Sequence, residues 1–100
     1  MYRIKLSDEA KKDFDEYIYH IQTVYHAPIT AIKHYAELLN CINSLKIFPE
    51  RHLLQFSIFF LRFGPNVRRV NYKKMAIIYS VYGDTVYIHR IMPSNLITNL

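Results

Sequence analysis

The residues best suited to chemistry lie between Val67 and Met92. They are Arg68, Arg69, Lys73, Lys74, His89 and Arg90, with Tyr72, Tyr79, Tyr82 and Tyr87 interleaved. Cations this dense suit a phosphate backbone or an acidic protein surface. His89 adds a group whose ordinary pKa, about 6.5, suits proton transfer. Cleaving RNA through its 2′-hydroxyl needs a base, an acid for the leaving oxygen and cations around the phosphate. On that chemistry His89, Arg68 and Arg90 are the candidate catalytic residues. Arg68, Arg69, Lys73, Lys74 and Arg90 are the candidates for binding nucleic acid or another target. The competing reading makes the arginines hydrogen-bonded or ion-paired strand residues, Lys73-Lys74 a solvated turn and His89 a structural histidine. The tyrosines offer stacking platforms for bases or, more simply, edge-of-core packing with the hydroxyl in water.

Strands must position these groups. Met75 to Tyr82 (MAIIYSVY) and Thr85 to Met92 (TVYIHRIM) are rich in β-branched and aromatic residues and are separated by Gly83-Asp84. That is a hairpin signal, and Gly in first place favours a type II′ turn, whose first central residue needs positive φ. Val67 to Tyr72 (VRRVNY) supplies a third strand, turned at Lys73-Lys74. Without a bulge, Arg68 shares a face with Val70, and Arg69 with Asn71. Likewise Ile88 and Arg90 share one face, and Tyr87, His89 and Ile91 the other. A hairpin alone is marginally stable, so the rest of the chain must cover this sheet.

The composition permits that. The 100 residues are 51% hydrophobic and 15% aromatic, enough for one domain with its own core and unlike a disordered chain. Cys41, the single cysteine, excludes an internal disulfide and reads as a buried thiol in a helical pattern. The histidines show no metal-ligand spacing, and no cofactor motif is present. No apolar run is long enough to span a bilayer, and MYRIKLSDEAKK does not read as a signal peptide, so a cytoplasmic protein is expected. The net charge of +5 is unevenly placed. Residues 1–45 carry five Lys or Arg against six Asp or Glu, whereas residues 46–100 carry eight against two.

Tyr2 to Leu6 (YRIKL) alternates as a strand. Ser7 then reads as an N-cap with Asp8 and Glu9 in the first helical turn. Ala10, Phe14, Tyr17, Ile18, Ile21 and Tyr25 recur at helical spacing, predicting a helix over Asp8 to Tyr25. Pro28 fits a first helical position. It opens a second pattern, with an apolar stripe of Ile29, Ile32, Tyr35 with Ala36, Leu39, Ile42 and Leu45, ending near Lys46. An antiparallel helical hairpin on one face of the sheet is the simplest packing. Leu53 to Phe63 (LLQFSIFFLRF) fits neither periodicity. It reads as an added strand, a short helix closing the core, or an exposed apolar surface covered by a partner.

The order strand, two helices, loop and three-stranded meander resembles the RelE/ParE superfamily, the small toxins of bacterial type II toxin–antitoxin systems. The likeness rests on YRIKLSDEAKKDFDEYIYHI as first strand and helix. It continues in Ala31, Leu38, Ile42 and Leu45 before Phe48-Pro49, and in Val67-Arg68-Arg69-Val70 as the basic second strand. Ile77, Ile78, Tyr79 and Val81 resemble the third strand, and Val86, Ile88, Arg90 and Ile91 the last. The resemblance implies an α+β fold in β-α-α-β-β-β order, a two-helix antiparallel hairpin on a small, mainly antiparallel sheet, in one domain over residues 1–100. It implies a toxin held inactive by a cognate antitoxin that wraps the helical hairpin, the sheet edge or the apolar 53–63 segment. On the last, which is unusual for the family, Phe56, Phe59, Phe60 and Phe63 are the expected antitoxin contacts. The toxin would be a homodimer or part of a toxin–antitoxin hetero-oligomer.

The implied target is DNA gyrase, as for ParE. The alternatives are ribosome-bound mRNA, cleaved as by RelE, and a non-toxic interaction module of the same fold. Where the family usually has Tyr, this chain has Met75. Where nuclease relatives commonly follow the last strand with His or Tyr, Gly and Arg, it has Pro93-Ser94-Asn95. The last-strand departure favours the gyrase reading; Met75 need not, because Met fills a similar volume.

Overall fold

Apolar alternation and helical spacing resolve into seven elements in a computed structural model that describes residues 1–24 and 26–98. Strand β1 (Arg3–Leu6) leads into helix α1 (Asp8–Thr23). Helix α2 (Pro28–Asn43) follows, extended by a 3-10 turn at Ser44–Lys46. A single helical turn, α3 (Ile58–Leu61), precedes the meander of β2 (Val67–Tyr72), β3 (Met75–Tyr82) and β4 (Thr85–Pro93). The sheet order is β1-β4-β3-β2. β1 runs parallel to β4, and the other neighbours are antiparallel. This is the expected α+β fold in β-α-α-β-β-β order.

Local signals explain the boundaries. The Ser7 hydroxyl accepts from the Ala10 amide at 2.9 Å and donates to the His89 carbonyl at 2.7 Å. One side chain therefore caps α1 and ties its start to β4. The expected helix end, Tyr25, lies outside the described residues. Gly83 has φ +59 and Asp84 is not among the positive-φ residues, as a type II′ turn requires. Tyr72 pairs with Met75, which places the other turn at Lys73-Lys74.

The main core lies between helices and sheet. Ala10, Leu38, Ile42 and Leu45 pack on Ile77, Tyr79, Val86, Ile88 and Ile91. Full burial of one such aliphatic side chain stabilises by about 1.5–3 kcal/mol. The α2 stripe read from sequence requires correction. Its buried residues are Ala31, Leu38, Ile42 and Leu45, while Ile29 and Ile32 are 83% and 70% exposed and Tyr35 and Leu39 also face solvent. The helix carries two apolar stripes about 100° apart, and a sheet on one side buries only one.

A second cluster covers the sheet's other face. Phe59 and Phe60 pack on Val67, Ile78 and Met92, flanked by Phe63 and Ile97. The segment 53–63 thus closes the core through α3, with Leu54 bridged to Arg68 on the β2 edge.

Candidate functional site

Arg68 stands opposite Tyr79 in the β2–β3 register, on the helix-facing side. Its Nη1 donates to the carbonyls of Glu50 at 2.8 Å and His52 at 2.6 Å. The guanidinium therefore clamps the loop after α2. Tyr79 does the same from within the core, its buried hydroxyl donating to the Pro49 carbonyl at 2.6 Å. Burial pushes that hydroxyl's pKa up to about 12, so it stays a donor.

β4 carries a bulge that the parity argument did not contain. Ile78 pairs with Arg90 and Tyr79 with Ile88, leaving His89 as the extra residue. Ile88 and Ile91 consequently share the helix-side core, instead of lying on opposite faces. Arg90, set opposite Ile78 and beyond the end of β1, reaches α1 across the open edge of β4. There its Nε and Nη2 donate to the Asp13 carboxylate at 2.7 and 3.0 Å, and Glu9 lies 3.3 Å from Nη1. Asp13 also accepts the Ile91 amide at 3.0 Å, taking the place of a neighbouring strand beyond the end of β1.

His89 faces away from the helices. Its Nε2 shares a 2.8 Å hydrogen bond with the Ser80 hydroxyl. The ring packs on Phe63 and Tyr87, with centroids 5.3 and 5.1 Å away. Burial holds its pKa below the ordinary histidine value, so the ring is neutral at pH 7. The three candidate catalytic residues therefore do not converge. Arg68 and His89 lie on opposite faces of the sheet, and Arg68 and Arg90 are engaged by partners within the chain.

The remaining cations do come together. Arg69, Lys73 and Lys74 line one wall of an open cleft of about 960 Å³, with Asp13, Glu16 and His20 on the α1 side. Arg69 Nε donates to Asn71 at 2.9 Å, and Lys73 lies 3.9 Å from Glu37. Glu37 is also the acceptor for the Tyr72 hydroxyl at 2.7 Å, which holds its pKa below the usual carboxylate range. Lys74 has no side-chain partner among the described residues. Nor do those residues include a group of three or more His, Cys, Asp or Glu able to hold a metal, or a helix long and apolar enough to cross a membrane.

Of the four phenylalanines expected to meet an antitoxin, Phe59 and Phe60 are buried in the second core and unavailable at the surface. Phe63 is half-buried, and Phe56 is 85% exposed. Sequence reasoning passed over Asp13 and Ser80. Asp13 was legible: it sits three residues after Ala10 and four before Tyr17, on the sheet-facing side of α1. Ser80, inside an apolar strand, offered no such signal.

A four-stranded mixed sheet with a helical hairpin on one face, and arginines turned inward to hold loops, defines a small α+β protein in which Arg68, His89 and Arg90 stand apart. The sequence matches the family model described as "ParE toxin of type II toxin-antitoxin system, parDE" over residues 4–95, and the chain belongs to that family. It is the toxin of a ParDE-like system, neutralised by an antitoxin. Among solved structures it resembles a chain of the "Chromosomal ParDE TA system from P. aeruginosa", with a TM-score of 0.75 and 21% identity, covering 93% of this chain and 96% of that one. At that identity the likeness speaks to fold. A search of curated proteins finds no match.

Proposed function

We propose that this toxin acts by protein–protein contact on DNA gyrase in the cytoplasm, without cutting RNA. The observation that carries the reading is the dispersal of Arg68, His89 and Arg90. Cleavage at a 2′-hydroxyl needs base, acid and cations within hydrogen-bond reach of one phosphate. Here two of the three are held by internal partners and the third by Ser80. Arg69, Lys73 and Lys74 remain outward, as a basic rim for an acidic protein surface.

The antitoxin docks on the exposed stripe of α2, through Ile29, Ile32, Tyr35 and Leu39, and on Phe56. An amphipathic segment folding onto this stripe is the fitting occupant, because its apolar face covers what the sheet leaves open. The toxin's assemblies are then hetero-oligomers with that antitoxin.

Two assays test the target. Purified toxin should inhibit gyrase-driven supercoiling, and primer extension on mRNA in a translating extract should show no new cuts. Cleavage lost on His89→Ala would establish the ribonuclease alternative and overturn this reading.

A further inference from the structure

The loop after α2 has a feature that neither core requires. Phe48 has φ 51 and ψ 60, in the left-handed region. A bulky residue there is an outlier, and its place before Pro49 disfavours the conformation further. Folding alone would favour Gly or Asn. The phenyl ring gains little in return, being 64% exposed beside Ile47 at 67%.

Yet the surrounding backbone is held from several sides. Arg51 Nη1 donates to the carbonyls of Ser44, Ile47 and Phe48, and its Nη2 to the Ser44 hydroxyl. Arg68 holds the Glu50 and His52 carbonyls, and Tyr79 holds that of Pro49. The Tyr2 hydroxyl reaches the Glu50 carboxylate at 3.3 Å. The result of this clamping is two apolar side chains held out in water, Phe48 on strained and Ile47 on extended backbone. Strain of this kind persists where the surroundings over-determine it, and it collects at functional sites.

We propose that Ile47 and Phe48 form a preorganised anchor for the protein that the toxin inhibits, filling an apolar pocket with a carboxylate rim on that target. Arg51 commits both Nη groups to the loop, so its fork is not open to a phosphate, and Arg68 commits its Nη1 to two loop carbonyls. Their charge remains, and together with Lys46 it exceeds that of Glu50, which selects an acidic rim. Rigid apolar anchors dominate protein interfaces, and fixing them in advance removes the cost of ordering them on binding. The inference rests on the toxin reading but is independent of whether the target is gyrase.

The test compares growth arrest on induction with binding to the co-expressed antitoxin. Phe48→Asn tolerates left-handed backbone, so it should fold with a melting temperature near that of the wild type and bind antitoxin unchanged, yet lose growth arrest. Ile47→Gln, on extended backbone with φ -118, should weaken arrest in the same way. Full arrest by both variants overturns the inference. So does loss of antitoxin binding, which would place the loop on the antitoxin face. If Phe48→Asn melts more than about 5 °C below wild type, the ring supports the fold and Ile47→Gln alone decides. Wild-type protein that fails to arrest growth would instead overturn the toxin reading.

Discussion

Arg68→Ala separates a residue that holds the fold from one that serves a target. Both of its hydrogen bonds run from Nη1, to Glu50 at 2.8 Å and His52 at 2.6 Å. A hydrogen bond from a charged group contributes about 1.5–3 kcal/mol. The loop faces water on one side, so the freed carbonyls recover part of their solvation. Each bond therefore falls below that range, at about 1 kcal/mol, or about 2 kcal/mol for the pair. In a domain of this size each kcal/mol moves the melting temperature by about 4–8 °C, which predicts a fall of about 8–16 °C. With a urea slope of about 1–2 kcal/mol/M, the midpoint drops by about 1–2 M at unchanged slope. Circular dichroism reads both quantities. Arg68→Lys has a single ammonium in place of the planar fork and should recover less than half of the loss. If Arg68→Ala melts within about 2 °C of wild type, the clamp contributes nothing and Arg68 returns to the candidates for target contact.

Two further outcomes follow from the site. Burial holds His89 below its ordinary pKa, and burial together with Arg51 and Arg68 does the same for His52. The unfolded chain therefore binds more protons just below about pH 6.5, so stability present above that pH is lost as pH falls toward the folded values. Urea midpoints between about pH 7.5 and pH 5 should fall, and His89→Gln should flatten the fall; equal slopes would remove His89 from the effect. On the other sheet face, Phe60→Ala should cost about 3–5 kcal/mol in unfolding, as deletion of a buried ring does. Phe56→Ala should leave stability within about 0.5 kcal/mol and weaken antitoxin binding; equal losses of stability would refute the distinction.

The parts of the fold legible in the sequence were those whose signal is local. Ser7 announced a cap, Gly83 a positive-φ turn, and the β-branched run of β3 a strand. The inward face of α2 was not legible, because apolar residues cover more than half its circumference. Ile32 and Leu39 fit a helix stripe as well as Ala31 and Leu38, and only the position of the sheet decides between them. The bulge at His89 was invisible because it is set by backbone pairing and by Asp13 accepting the Ile91 amide. The role of Arg68 was hidden for a related reason. Its acceptors are backbone carbonyls, which every residue carries, so no partner residue type marks the contact.

The same reasoning changes what the basic composition means. Residues 44–66 hold little regular structure, so many of their carbonyls lack a backbone donor, and carbonyls removed from water need another. Arginine answers that need, since one planar fork can serve several oxygens. Arg51 holds three carbonyls of this loop and Arg68 holds two. Arg62 donates to the Phe59 carbonyl at 3.0 Å and lies 4.2 Å over the Phe59 ring, and Arg90 fastens α1 to β4. Half of the eight cations in residues 46–100 therefore answer to the fold, and the charge surplus is not a count of phosphate contacts. Outward-facing charge reduces to Arg69, Lys73 and Lys74 at one end of the sheet, with Lys46 by the strained loop at the other. Two small basic rims, one beside exposed apolar side chains, suit protein surfaces better than the continuous track of a nucleic-acid backbone.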